Sequence, residues 1–112
     1  MMLINVNSNS VVNISEDLRG ANAVAPVSAT TTVAVALAAN ANRANYSIYN
    51  AGPATVFLRE GSVVTPALHT TPIPSGFLWK EDFVSARYTG VISVITASGT
   101  ASLQVSEGTI IP

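Results

Sequence analysis

From Thr30 onward, apolar positions recur every second residue, the spacing of a half-buried strand rather than of a helix. Val33, Val35 and Leu37 alternate with Ala34, Ala36 and Ala38. Thr and Val are stiff at χ1 and favour a pleated surface, so residues 30–38 are predicted as a strand. The alanine content of 34–41 would also suit a helix. Both sides of this strand are apolar, and the alanine side calls for a second cover such as another subunit.

Further strands are predicted over 44–49 and 54–60, joined through Asn50-Ala51-Gly52-Pro53, where turn formers cluster. Val56 and Leu58 alternate with Phe57 and Arg59. Residues 61–75 hold Pro66, Pro72 and Pro74, which predicts loop with short extended pieces, because proline cannot donate to a central ladder. Strands over 77–80 and 83–87 flank an acidic corner at Glu81-Asp82. The last two, over 91–96 and 101–106, are predicted as a hairpin about Ser98-Gly99. In it Ala101, Leu103 and Val105 face one way and Ser102, Gln104 and Ser106 the other. Roughly seven or eight short strands with turns every 8–12 residues predict an all-β chain, a single antiparallel β-sandwich or jelly-roll-like domain over residues 29–112. Residues 1–28 are expected to form an extended N-terminal arm, with strand-like pieces at 3–6 and 11–14. Within it Ser15 can cap a helical turn that has Glu16 and Asp17 in its first positions and Gly20 at its end.

Composition narrows the function. The chain has 112 residues, room for one small domain with a core of its own. Only 10% are charged, where a soluble domain usually carries about 25%, and Ala, Val, Ser and Thr fill 53 of the positions. No charged residue lies between Arg19 and Arg43. Five cations against six anions leave no basic field for nucleic acid. With no Cys, a disulfide framework and a thiolate metal site are excluded. The start lacks a basic segment followed by an apolar run, and no stretch reaches about 20 consecutive apolar residues, so neither export nor a membrane partner is expected. Asn13-Ile14-Ser15 and Asn45-Tyr46-Ser47 then match the glycosylation triplet by chance.

Candidate chemistry is sparse. His69 is the only histidine, and its neighbours Leu68, Thr70 and Thr71 supply no metal-ligand spacing or partner acid, so a hydrogen-bonded loop histidine is expected. Glu81 and Asp82, adjacent on an extended chain, would point to opposite faces and cannot flank one bond as paired catalytic carboxylates do. Nor does their vicinity supply the oxygens that calcium needs. Ser75-Gly76 and Ser98-Gly99 match neither a nucleophile elbow nor a phosphate loop. Trp79, with Phe77, Phe83 and Tyr88, could stack a sugar, but in so short a domain core packing is the expected use of large aromatics. No catalytic residue, cofactor or metal is expected.

One pattern spans residues 43–107. Arg43-Ala44-Asn45-Tyr46-Ser47-Ile48-Tyr49-Asn50 is followed by Val56-Phe57-Leu58-Arg59 and Gly61. Then come Pro74-Ser75-Gly76, Tyr88-Thr89-Gly90-Val91-Ile92-Ser93-Val94 and Gly99-Thr100-Ala101-Ser102-Leu103-Gln104-Val105-Ser106-Glu107. This resembles the small β-sandwich virion proteins of tailed bacteriophages, in which an arginine opens a strand and the last two pieces form a hairpin ending in a glutamate. The resemblance implies a capsid cement or decoration protein, or a tail or fibre module, without catalytic residues.

The function expected is therefore that of a capsid decoration protein, made in the host cytoplasm and placed in the virion. Its partners are expected to be copies of itself, as a trimer, and the major capsid protein. An uncovered apolar face needs a cover, and closed rotational symmetry commonly supplies it. An extended arm of 28 residues reaches roughly 90 Å, far enough for an adjacent molecule. Leu3, Ile4, Val11, Val12 and Ile14 in the arm and Ala34, Ala36 and Ala38 in the first strand are the expected assembly residues. The alternative is a tail or fibre module that binds a receptor or glycan, which requires Trp79 or Tyr88 exposed beside Asp82 or an asparagine.

Overall fold

A computed structural model describes residues 18–83 and 86–111. The strands are β1 (Leu18–Arg19), β2 (Ala23–Ala29), β3 (Ala34–Leu37), β4 (Arg43–Pro53), β5 (Val56–Glu60), β6 (Thr71–Ile73), β7 (Leu78–Asp82), β8 (Ile92–Thr96) and β9 (Ala101–Ile111). They form two antiparallel sheets packed as a β-sandwich, as the spacing of apolar positions and turns predicts. In one sheet β9 lies between β4 and the collinear pair β1 and β2, and β7 closes the far side of β4. The other sheet runs β3-β8-β5-β6.

Alternation places the core between the sheets. Tyr46 and Ile48 of β4 and Leu103 and Val105 of β9 point inward from one sheet, and Val56, Leu58, Ile92 and Val94 meet them from the other. Burying each of these aliphatic side chains is worth about 1.5–3 kcal/mol. On β9, Ala101, Leu103 and Val105 are buried while Ser102 and Gln104 are exposed, the sorting that the alternation predicts.

The pairing differs from the sequence expectation at several places. β8 and β9 do not pair. They belong to different sheets, and Ser98-Gly99 makes a corner rather than a hairpin turn. The Thr96 hydroxyl donates to the Gly99 carbonyl and the Ala54 amide to the Thr100 carbonyl, which holds that corner. Asn50-Ala51-Gly52-Pro53 is not a turn. It continues β4 along β9, with a register shift between Asn50 and Gly52, before the chain crosses to the second sheet. Buried Asn50 fixes this end: its side-chain amide donates to the Ala54 and Ile73 carbonyls and its Oδ1 accepts from the Gly52 amide. Glu81 and Asp82 lie within β7 opposite Tyr46 and Asn45, so the acidic corner is a strand, and Phe83 follows outside any strand. Residues 23–28, expected within the extended N-terminal arm, form most of β2, which pairs with β9 over all seven of its residues. Leu18, expected in a helical turn, opens β1, while Ser15, Glu16 and Asp17 lie outside the described residues.

Two further groups tie the layers. Fully buried Arg43 donates from Nε to Glu107, from Nη1 to the Tyr88 and Gly90 carbonyls, and from Nη2 to the Ala38 carbonyl. Across the core, the Tyr46 hydroxyl donates to Glu60 of the opposing sheet and accepts from the Trp79 indole. The loop between β5 and β6 lies over the outer face of the second sheet. The Ser93 hydroxyl donates to the Gly61 carbonyl, Arg59 donates to the Val63 carbonyl, and the His69 ring sits 4.9 Å from that of Phe57.

Candidate assembly surface

Among the described residues β2 and β3 are the outermost strands of the two sheets on the same side, each hydrogen-bonded to one neighbour, β9 and β8 respectively, and in contact with one another. Together they make a side wall of the sandwich. The corner between them is held by Thr30, whose hydroxyl accepts from the Thr32 amide and whose carbonyl accepts from the Thr96 amide. No charged side chain belongs to this wall, since none occurs between Arg19 and Arg43. Ala23, Val24, Ala25 and Pro26 are all exposed, and so are Val33 and Val35, with Val24 and Val35 each at 57%. Open strand edges are ordinarily guarded by charge, proline or a covering segment. Among the described residues, Pro26 is the single such guard along β2.

The alanine side of β3 is not the open one. Ala34 pairs with Val94, a core residue, and therefore turns inward. Ala36 is buried in the core and Ala34 packs against it. Ala36 is covered by this chain's own second layer, which corrects the expectation that it meets another subunit, and Ala34 is half-buried beside it. Ala38 lies beyond the strand, exposed, with its carbonyl taken by Arg43. The exposed side of β3 is the valine side. Leu3, Ile4, Val11, Val12 and Ile14 lie outside the described residues. Val24 carries no signal in the local spacing, and on β3 a register shift between Val35 and Leu37 leaves Val35 outward while Leu37, opposite Ile92, turns to the core. The charge-free run from Gly20 to Asn42 was the signal that marked the wall.

The remaining candidates are dispersed. Trp79, Phe83 and Tyr88 pack against the core, as expected for large aromatics in a small domain, and the Tyr88 hydroxyl donates to the Val91 carbonyl. Phe77 alone of that group is largely exposed. His69 has a buried Nδ1 without a hydrogen-bond partner among the described residues. Asp82 forms an ion pair with Lys80 at 3.3 Å, both groups well exposed and of small energetic weight. Among the described residues no three His, Asp or Glu side chains group as metal ligands do. A cleft of about 170 Å³ on the outer face of the first sheet is lined by Arg19, Asn22, Asn45, Ser47, Lys80 and Asp82. Its polar groups already engage one another: Arg19 donates to Asn22, and Asn22 donates to the Ser106 hydroxyl.

No family model matches the chain, and neither a curated protein nor a solved structure matches it.

Proposed function

We propose that this chain is a virion structural protein of the capsid-decorating kind, which assembles with copies of itself and binds the major capsid protein. The observation that carries the proposal is the side wall of β2 and β3, two strands with one partner each among the described residues, flanked by exposed Val24 on the outer face of one sheet and exposed Val33 and Val35 beside the other, in a stretch without charge. Such a wall loses little on desolvation and gains from apolar contact, the balance that favours a packed neighbour over water. The likeness of residues 43–107 to small phage virion proteins supplies the class of assembly. The polar ties at both ends of the sandwich, Arg43 at one and Asn50 at the other, fasten its layers together.

The test is the mass of the full chain in solution across a concentration series, beside its binding to undecorated phage shells. Self-association and shell binding are expected, both weakened by Val33→Asp with Val35→Asp while the fold persists. A chain that stays monomeric and ignores shells at every concentration overturns the proposal.

A further inference from the structure

The period-two pattern also runs through the first residues. Even positions Met2, Ile4, Val6, Val12 and Ile14 are apolar, with Ser8 and Ser10 between them, and odd positions Asn5, Asn7, Asn9 and Asn13 are amides; Leu3 and Val11 depart from the sorting. In an extended conformation this puts an apolar row on one face and a row of amides on the other, over a length of about 43 Å for residues 2–14.

The described part of the chain holds a matching acceptor. β2 has seven residues and, among the described residues, one strand partner and an unpaired outer edge. Its core-side residues Ala23, Ala25 and Val27 stand opposite Glu107, Val105 and Leu103. Yet Ala23 and Ala25 are exposed and Val27 is half-buried, because the facing sheet ends in β3, only four residues long. The outer face of β2 carries Val24, Pro26 and Ser28, and beside it Ser102, Gln104, Ser106 and Ser47 add hydroxyls and an amide. A strand with one apolar face and one amide face completes both surfaces at once.

Chain direction favours a second molecule. Leu18 stands opposite Ile111 and Arg19 opposite Ile110, after which the chain runs along β9 toward Ala101. The chain thus enters at the far end of β9, and reaching its own β2 edge from there requires a reversal of direction. The edge of another copy requires none.

We propose that residues 2–14 of one copy add as a strand to the open edge of β2 in a second copy, the even residues toward the core side and the asparagines continuing the polar outer face. Main-chain hydrogen bonds supply affinity in such an addition and the alternating side chains supply register. The inference rests on the self-assembly proposed above and names the segment that performs it.

Because the chain has no Cys, engineered pairs give a clean test. In full-length protein, Val24→Cys is combined in turn with Asn5→Cys, Asn7→Cys or Asn9→Cys, and as a control with Val6→Cys. At least one asparagine position is expected to yield a disulfide-linked species of two chains, and the Val6 control none, since opposite faces keep the sulfurs apart. Separately, Ile4→Lys with Val6→Lys is expected to weaken self-association about tenfold or more and to speed amide exchange along β2, while Asn5→Lys with Asn7→Lys leaves both within about threefold. Cross-links within one chain, cross-links indifferent to face, or no cross-link at all overturn the inference. Association that survives Ile4→Lys with Val6→Lys but is lost on Val33→Asp with Val35→Asp overturns it while leaving the wall as the interface. A chain monomeric throughout removes both proposals.

Discussion

Arg43 Nε lies 2.8 Å from Glu107 Oε2, joining the first residue of β4 to β9 with the arginine side chain wholly shielded from water. One opens β4 and the other lies toward the end of the last strand. The structure makes them a pair. A guanidinium has five N–H groups in one plane, and four acceptors surround it here, the Glu107 carboxylate and the carbonyls of Ala38, Tyr88 and Gly90.

Replacing Arg43 by Ala leaves a half-buried carboxylate and three carbonyls without their donor. The expected loss is about 3–5 kcal/mol, read from denaturant unfolding at neutral pH. Arg43→Lys is expected to fall nearer to Ala than to the parent, because a single ammonium cannot address four acceptors spread around a plane. A lysine variant as stable as the parent would show that charge alone, and not the fork, holds this end.

Tyr46 should make the fold sensitive to alkali. Burial is the main cause that holds its hydroxyl pKa above the usual 10.0; donation to Glu60 and the negative charges of Glu60 and Glu81 add to the rise, and the Trp79 indole partly opposes it. From about pH 10 upward the unfolded chain releases this proton while the folded chain keeps it. The unfolded state then binds fewer protons, so stability is full below that pH and falls as pH rises past it. Tyr46→Phe is expected to cost about 1–3 kcal/mol at pH 7, by removing the link between the sheets, and to flatten the decline above pH 10. The single Trp79 loses its hydrogen-bond acceptor in that variant, so its emission maximum is expected to move as well.

What period-two spacing conveys is which residues share a side, and this was legible: Ala101, Leu103 and Val105 sort from Ser102 and Gln104 on β9 as the alternation requires. Which side is the core and which strand is the partner are long-range properties, and there the local pattern is silent. On β3 both sides are apolar, so bulk misleads. The smaller alanines turn inward beside buried Ala29, where the two layers close together, and the larger valines are left outside. Ser98-Gly99 looks the same whether the strands it joins pair or cross between sheets. Asn50-Ala51-Gly52-Pro53 has turn composition, yet Asn50 spends its side chain on the carbonyls of Ala54 and Ile73, a use that local sequence does not reveal.

Gly52 is expected to tolerate no side chain. Its φ of 90° lies in the left-handed region, and an added Cβ would fall onto the Ser75 hydroxyl. Gly52→Ala should cost at least the 1–3 kcal/mol typical of a strained backbone position, with the collision added. Ser75→Gly introduced alongside removes the collision but not the strain, so a partial recovery in thermal midpoint is expected. Full recovery would mean that the backbone strain counts for nothing.

The two sides of β3 give the sharpest contrast between folding and assembly. Ala36 is 8% exposed and Val35 57%, although they are adjacent. An aspartate at 36 carries its charge into the core without a partner, so Ala36→Asp is expected to cost several kcal/mol and to leave little folded protein. At 35 the same side chain points to water, and Val35→Asp is expected to change unfolding free energy by under about 1 kcal/mol. Its effect should appear in mass and shell binding, since it introduces a charge into a wall that has none. Denaturant unfolding and solution mass measured together on the two variants check this. Equal destabilisation by both would mean that the valine side is needed within the monomer, and the wall would lose its standing as an interface.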